Sequence, residues 1–124
     1  MRKSLVVFAF LLTAACSEPK KHEASVFDVM PIIPTPPASQ VIGREGGEDA
    51  VKIRFRSSMD ADSVAAYYRR VLTERPWRLV SDVKAADGTI TLYAEQDGPP
   101  LWVSIRRASG SAGSFVDLAG AKAR

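Results

Sequence analysis

Residues 60–75 form the one stretch of this sequence that is strongly patterned for an α-helix, and they constrain the fold of the rest. Asp60 is placed to cap the first turn, because its carboxylate can accept hydrogen bonds from backbone amides there. Pro76 cannot continue a helix, so we expect the helix to end near Glu74. Between these limits the apolar residues recur at helical spacing and form a single stripe: Val64, Tyr67, Tyr68, Val71 and Leu72. A helix with one apolar stripe needs a second layer, which the remaining chain must supply.

The other regularly patterned segments alternate between apolar and polar residues, as half-buried strands do. In residues 51–56, Val51, Ile53 and Phe55 point to one side and the cations between them point to the other. Residues 43–49 before this strand are predicted to form a glycine-rich polar turn. Four further strand-like segments follow the helix, separated by short turns: residues 77–83, 89–95, 101–106 and 115–119.

Strands at this spacing predict an antiparallel meander. The predicted fold class is therefore α+β, with one amphipathic helix packed on a four- to five-stranded antiparallel meander sheet in the order β-α-β-β-β-β. This order resembles the cystatin-like arrangement, in which a curved meander holds a long helix. The resemblance concerns topology alone, because the sequence contains no cystatin inhibitory motif and implies no protease inhibition.

The N-terminus has the three parts of a secretory signal peptide, assigned to residues 1–15. Residues 1–3 are basic, residues 5–12 are apolar, and residues 13–15 are small. The sequence Leu-Thr-Ala-Ala-Cys that ends at Cys16 resembles a lipobox, the signature of bacterial lipoproteins. This resemblance implies cleavage before Cys16 and acyl chains on that residue, which would bind the lipid bilayer. The alternatives are an ordinary signal peptide followed by a chance cysteine, and a free reactive thiol.

The resemblance also implies a location at the bacterial cell membrane. Ser17 stands where an aspartate is the usual signal for inner-membrane retention. The protein is therefore expected at the outer membrane, facing the periplasm, if the organism is Gram-negative.

Residues 16–40 are polar and then rich in proline, which predicts an extended tether after the lipidated cysteine. The folded domain is predicted to occupy residues 41–124. The tether is either a passive linker or a spacer that reaches toward a partner. Residues 26–30 are more apolar than a spacer needs, so they either lie along the sheet edge or dock on a partner.

Taken together, these segments resemble a type of small bacterial envelope lipoprotein of uncharacterised function. The similar parts are Asp-Ser-Val-x-x-Tyr-Tyr-Arg-x-x-Leu in residues 62–72, Trp77, and Gly-Pro-Pro-Leu-Trp-Val-Ser-Ile in residues 98–105. Pro76 stands where such proteins usually have glycine, so the exit from the helix is expected to differ. The resemblance implies no known reaction.

Charge and residue counts exclude several classes of function. Removal of the signal peptide with Arg2 and Lys3 leaves 15 basic residues against 14 acidic ones, so the net charge falls from +3 to +1. A net charge this close to zero gives no support for nucleic-acid binding. The single cysteine, Cys16, and the single histidine, His22, both lie before the predicted domain. No catalytic pair with serine or cysteine and no zinc site is therefore expected, nor any cofactor. The carboxylates lack the dense D-x-D-x-D-G spacing of a calcium loop.

Carboxylates are the remaining groups that could carry a reaction, and they occur in pairs near the predicted turns: Asp60 and Asp62, Asp82 and Asp87, Glu95 and Asp97. Helix capping and turn formation explain each pair more simply. A carboxylate-dependent hydrolase or lyase of the envelope is kept as the alternative function.

The face of the sheet away from the helix is the candidate binding face. Tyr93 and Trp102 have the opposite parity to the apolar residues beside them, so they are expected there with Arg54, Arg56 and Arg106. Such a face suits an anionic or glycan-like partner. The alternative is a solvated face on which the two aromatics form cross-strand pairs. The leading hypothesis is a membrane-anchored envelope lipoprotein with a non-enzymatic interaction or assembly domain; a protein without a ligand, kept for envelope structure, is a third possibility.

Overall fold

The computed structural model describes residues 33–47, 49–97, 99–110 and 112–122. The described residues contain one helix, α1, at Ala61–Val71. The strands are β1 at Ser39–Gly46, β2 at Ala50–Ser57, β3 at Trp77–Lys84, β4 at Ile90–Gln96, β5 at Pro100–Arg107 and β6 at Ser114–Ala121. The predicted signal peptide, Cys16, His22 and residues 26–30 lie outside the described residues.

The six strands form one antiparallel sheet in the order β1-β2-β6-β5-β4-β3. The α+β class, with one helix packed on an antiparallel sheet, is confirmed. The predicted number of four to five strands is wrong, because β1 adds a sixth. The element order is therefore β-β-α-β-β-β-β, which differs from the cystatin-like order by a strand before the helix.

Strand β1 occupies residues that the sequence assigned to the end of the tether and to a glycine-rich turn. Among the described strands it pairs with β2 alone and lies at one edge of the sheet. Val41 and Ile42 are each about half exposed, and a β-bulge separates Val41 from Gly43. An edge strand of this kind has no alternating burial, so it lacks the pattern by which the other strands are recognised.

The helix α1 packs on the central strands β4, β5 and β6. Asp60 caps its first turn as predicted, since its carboxylate accepts a hydrogen bond from the backbone amide of Ser63 at 3.2 Å. Tyr68 and Leu72 are fully buried, whereas Tyr67 and Val71 are only partly buried. The sheet side of the core consists of Val51, Ile53, Phe55, Trp77, Ile90, Leu92, Ala94, Leu101, Val103, Ile105, Val116 and Leu118. The helix and the sheet thus bury their apolar side chains against each other.

Residues 33–38, here called the N-terminal strap, pack against this core. The hydroxyl of Tyr68 donates a hydrogen bond to the carbonyl oxygen of Pro34 at 2.7 Å. The hydroxyl of Ser57 donates to the carbonyl oxygen of Pro37 at 2.8 Å, and Ile33 contacts the core. Residues 33–38, which the sequence analysis assigned to the end of the tether, thus contact the folded domain.

The connection between β5 and β6 is fitted closely to the end of β2. Gly113 has φ +113°, and a Cβ at this position would lie 2.5 Å from the carbonyl oxygen of Ser57. The hydroxyl of Ser114 donates to the carbonyl oxygen of Met59 at 3.0 Å. The amide of Met59 donates to the hydroxyl of Ser57 at 3.1 Å. These contacts fix the start of α1 relative to β2 and β6.

Candidate binding face

The open face is the side of the sheet that faces away from α1, and strand parity decides which residues it contains. Its charged and aromatic members are Glu45, Lys52, Arg54, Arg56, Arg78, Tyr93, Glu95, Trp102, Arg106, Phe115 and Asp117. All five residues predicted for the binding face, Arg54, Arg56, Tyr93, Trp102 and Arg106, lie on it. Because the five cations outnumber the three carboxylates, the formal charge of this set is +2.

Tyr93 and Trp102 form an aromatic pair on neighbouring strands. They are directly opposite in the register of β4 and β5, and their ring centroids are 5.2 Å apart with planes tilted by 39°. Trp102 is 41% exposed, which is large for an indole in a sheet. The pair therefore presents a flat aromatic surface to solvent, with Tyr93 supporting it from one side.

A chain of polar contacts holds the Tyr93 ring in place. Its hydroxyl donates to Oε1 of Glu95 at 3.2 Å, and Glu95 forms an ion pair with Arg78. Partial burial, with a further contribution from the Glu95 carboxylate, raises the pKa of Tyr93. The hydrogen bond from Arg78, followed by that from Tyr93, lowers the pKa of Glu95. Near neutral pH the phenol is thus protonated and the carboxylate is ionised.

A shallow groove of about 370 Å³ lies beside Trp102. Small residues of β6 form its floor, namely Ala119, Gly120 and Ala121, and Lys52 and Glu45 lie on the side opposite Trp102. The volume is near the lower end of the range for ligand sites, about 300–1,000 Å³. The sequence analysis missed this groove. The feature of the sequence that indicates the groove is the pair of alanines at alternate positions of β6, Ala119 and Ala121. They predict a groove beside Trp102 only once β6 is known to lie beside β5.

Phe115 and two arginines form a second feature, here called the arginine–phenylalanine clamp. Phe115 lies between Arg56 of β2 and Arg106 of β5 in the strand register. The guanidinium carbons of Arg56 and Arg106 are 5.3 Å and 4.9 Å from the centroid of the Phe115 ring. Cations at this distance from an aromatic face are attracted by its electron density. The sequence analysis placed Phe115 in the last strand without a role in binding.

An ion pair with Asp117 holds Arg54 on the open face. Its Nε donates to Oδ1 of Asp117 at 2.8 Å, and Nη2 lies 3.4 Å from Oδ2. This contact raises the pKa of Arg54. Arg54 therefore stabilises the pairing of β2 with β6 on the open face, and its charge is largely balanced by Asp117.

The carboxylates considered for catalysis serve other purposes in the described part of the chain. Asp60 caps α1, Asp82 accepts two hydrogen bonds from Arg69, and Asp87 accepts one from the Thr89 amide. Hydrogen bonds lower the pKa of all three: from the side chain and then the amide of Ser63 to Asp60, from Arg69 to Asp82, and from Thr89 to Asp87. Asp62 and Asp97 are exposed. Within residues 33–122 as described, no group of three or more His, Cys, Asp or Glu side chains could hold a metal ion.

The described residues also contain no helix that is long and apolar enough to cross a membrane.

The fold and the face together describe a small α+β domain with one covered and one open sheet surface. A family model described as START domain-like matches residues 28–113, and the chain belongs to this family. No curated protein and no solved structure matches the sequence. The matched range begins before the N-terminal strap and ends immediately before β6.

Proposed function

We propose that this chain is a membrane-anchored bacterial envelope lipoprotein whose domain is a non-enzymatic binding module. In this proposal the acyl chains on Cys16 bind the bilayer, and the open face binds an anionic partner of the envelope. The expected location is the outer membrane, facing the periplasm, in a Gram-negative cell. The lipobox-like sequence at Cys16 supports the anchor.

The observation that carries the proposed binding function is the contrast between the two sides of the sheet. The side under α1 is covered by the helix, and its apolar side chains are buried in the core. The open face presents an exposed indole, a groove and an excess of positive charge. Charged and aromatic groups gathered on one solvent-facing surface suit recognition of an anionic partner. The proposal for the ligand thus rests on the open face and not on the family.

The anchor is tested by the fate of Cys16. In cells fed labelled palmitate, the wild-type protein should acquire label and sediment with membranes. Cys16→Ala should acquire none and leave the membrane fraction, whereas the matched control Ser17→Ala should behave as wild type. Continued membrane association of an unlabelled Cys16→Ala protein would contradict the anchor.

The binding function is tested by crosslinking in intact cells, followed by mass spectrometry of what is captured. Trp102→Ala and Arg106→Ala should reduce capture of the envelope partner. Arg70→Ala is the matched control, because this arginine is exposed on α1 in the opposite layer. Equal capture by all three variants would contradict the open face as the binding surface and favour a purely structural role.

The alternative of a carboxylate-dependent hydrolase or lyase has no supporting observation of its own. General acid catalysis needs a carboxyl group whose pKa is raised toward neutrality. Among the six carboxylates considered, Asp60, Asp82, Asp87 and Glu95 have lowered pKa values, and each is engaged in a structural contact. We therefore propose binding rather than catalysis.

A further inference from the structure

The open face carries exposed apolar side chains as well as cations. Trp102 of β5 is 41% exposed and contacts the ring of Tyr93, whose hydroxyl donates to Glu95. Val83 of β3 is 57% exposed, and the strand register places it on the same side of the sheet as Tyr93. Tryptophan and tyrosine are enriched where proteins meet the boundary between membrane and water, because their rings are apolar and carry one polar group. An indole held outward from a sheet is therefore suited to the headgroup region of a bilayer.

Cations flank Trp102 in two directions on this face. Lys52 of β2 lies in the same row of the sheet, since Lys52 and Trp102 are both opposite Ala119 of β6. Arg106 is four residues from Trp102 on the same side of β5, which is about 13 Å along the strand. An extended negative surface can therefore meet the indole and both cations at once.

The carboxylates of the open face do little to oppose such a surface. Asp117 is ion-paired with Arg54, and Glu95 is ion-paired with Arg78. The formal charge of the face stays positive even when Arg56 is left out of the sum. Near an anionic lipid surface, each basic side chain strengthens binding about fivefold. The charge of the open face is thus complementary to that of an anionic bilayer.

The chain before the N-terminal strap is long enough to let the open face reach the bilayer. Residues 17–32 separate Cys16 from Ile33, which is sixteen residues. They can span at most about 55 Å, whereas a helix packed on a sheet is roughly 20 Å thick. The strap contacts Tyr68 in the helix layer, so this segment must pass around the domain, and its length allows it. An anchor also keeps the domain at high effective concentration near the lipid, so a weak surface attraction suffices.

We infer that the anionic partner of the open face is the phospholipid surface of the bilayer that anchors the chain. In the docked state Trp102 lies in the headgroup region, Lys52 and Arg106 lie against lipid phosphates, and α1 faces away from the bilayer. This inference rests on the proposed function and names the partner of the open face.

The test uses the full acylated chain, purified in detergent and inserted into preformed vesicles of phosphatidylcholine with or without phosphatidylglycerol. Acrylamide, a quencher dissolved in the water, reports whether Trp102 is covered, because Trp102 is exposed and Trp77, the other tryptophan, is buried. Quenching of Trp102 should be strong in pure phosphatidylcholine and should be lost when phosphatidylglycerol is present. High salt should restore the quenching, because it screens the attraction between exposed charges.

Charge reversals on the two layers of the domain provide matched variants. Lys52→Glu and Arg106→Glu should each lower the ratio of docked to undocked domain about fivefold or more and so restore quenching. Arg70→Glu reverses an exposed arginine of α1, in the opposite layer, and should leave Trp102 protected. Trp102→Phe leaves Trp77 as the sole tryptophan and gives the background signal. Thermal unfolding checks that each variant is folded, and the alanine variant replaces any charge reversal that is not.

The results separate this inference from the proposed function. Equal quenching of Trp102 in both kinds of vesicle overturns the lipid surface as the partner. If capture in cells then still depends on Trp102 and Arg106, a different anionic partner is bound and the proposed function stands. If capture is also the same for the wild type and these variants, the proposed function is overturned as well. Loss of protection in Arg70→Glu equal to that in Arg106→Glu overturns the docked orientation, because attraction would then follow the total charge alone.

Discussion

Replacement of Tyr68 by phenylalanine removes the hydrogen bond that joins the helix to the N-terminal strap. The Tyr68 side chain is fully buried, and its hydroxyl donates to the carbonyl oxygen of Pro34 at 2.7 Å. Burial raises the pKa of this phenol far above neutrality, so it remains a donor at every pH used in folding experiments. Phenylalanine keeps the ring in the core but leaves the Pro34 carbonyl without its partner.

The expected cost follows from the burial of both groups. A buried polar group that loses its partner destabilises a protein by about 1–3 kcal/mol. For a domain of this size, each kcal/mol lowers the melting temperature by roughly 4–8 °C. Urea unfolding followed by circular dichroism should therefore show a lower midpoint with an unchanged dependence on urea concentration, because the surface exposed on unfolding hardly changes.

Tyr67→Phe is the matched control, since Tyr67 is the neighbouring residue and is only partly buried. Its hydroxyl can exchange hydrogen bonds with water, so a change below about 0.5 kcal/mol is expected. In a chain that lacks residues 1–38, Tyr68→Phe should cost much less, because the partner carbonyl is absent and the two changes are coupled. Equal costs for Tyr67→Phe and Tyr68→Phe in the full chain would refute the role of the strap.

Two further predictions concern stability. Gly113→Ala places a Cβ 2.5 Å from the Ser57 carbonyl oxygen at a φ of +113°. We therefore expect the free energy of unfolding, measured with urea, to fall by at least about 1–3 kcal/mol. Gly47→Ala is the control and should be close to neutral, because the space around Gly47 is open. A result in which both variants unfold at the same midpoint would show that the loop adapts freely. The hydrogen bond from Arg69 lowers the pKa of Asp82 below its ordinary value of 3.8. The ion pair therefore stabilises the folded state above pH 3.8, and this stabilisation is lost as the pH falls through the lower pKa that Asp82 has in the folded state. The urea midpoint should thus fall between pH 5 and about pH 3, and Asp82→Asn should reduce that fall; an identical pH profile for the variant would contradict the assignment.

The sequence predicted the parts of the fold that have a periodic pattern. The stripe of α1 and the alternation in β2, β4 and β5 reflect burial on one side only, and such burial appears directly in the residue types. Strand β1 could not be recognised in this way, because its apolar residues Val41 and Ile42 are adjacent and half exposed. The packing of the N-terminal strap depends on Tyr68, a residue 34 positions from Pro34 in the chain, so no local pattern reports it.

Only part of the candidate site could be predicted from the sequence. Parity placed Tyr93 and Trp102 on the open face, and the structure shows them in direct contact. The pairing of Arg54 with Asp117 joins residues 63 positions apart and depends on the register of β2 and β6. That register also places Phe115 between the two arginines of the clamp. Neither feature can be inferred before the strand order is known.

The position of β6 has a consequence for how the domain is made. The hairpin of β1 and β2 and the strands β3, β4 and β5 belong to one sheet only because β6 lies between β2 and β5. In a chain that emerges from its N-terminus, β6 follows all of these strands, and the sheet stays in two parts until residues 114–121 are available. Completion requires contacts between distant parts of the chain, which form slowly. A growing chain therefore cannot complete the sheet before residues 114–121 have been synthesised.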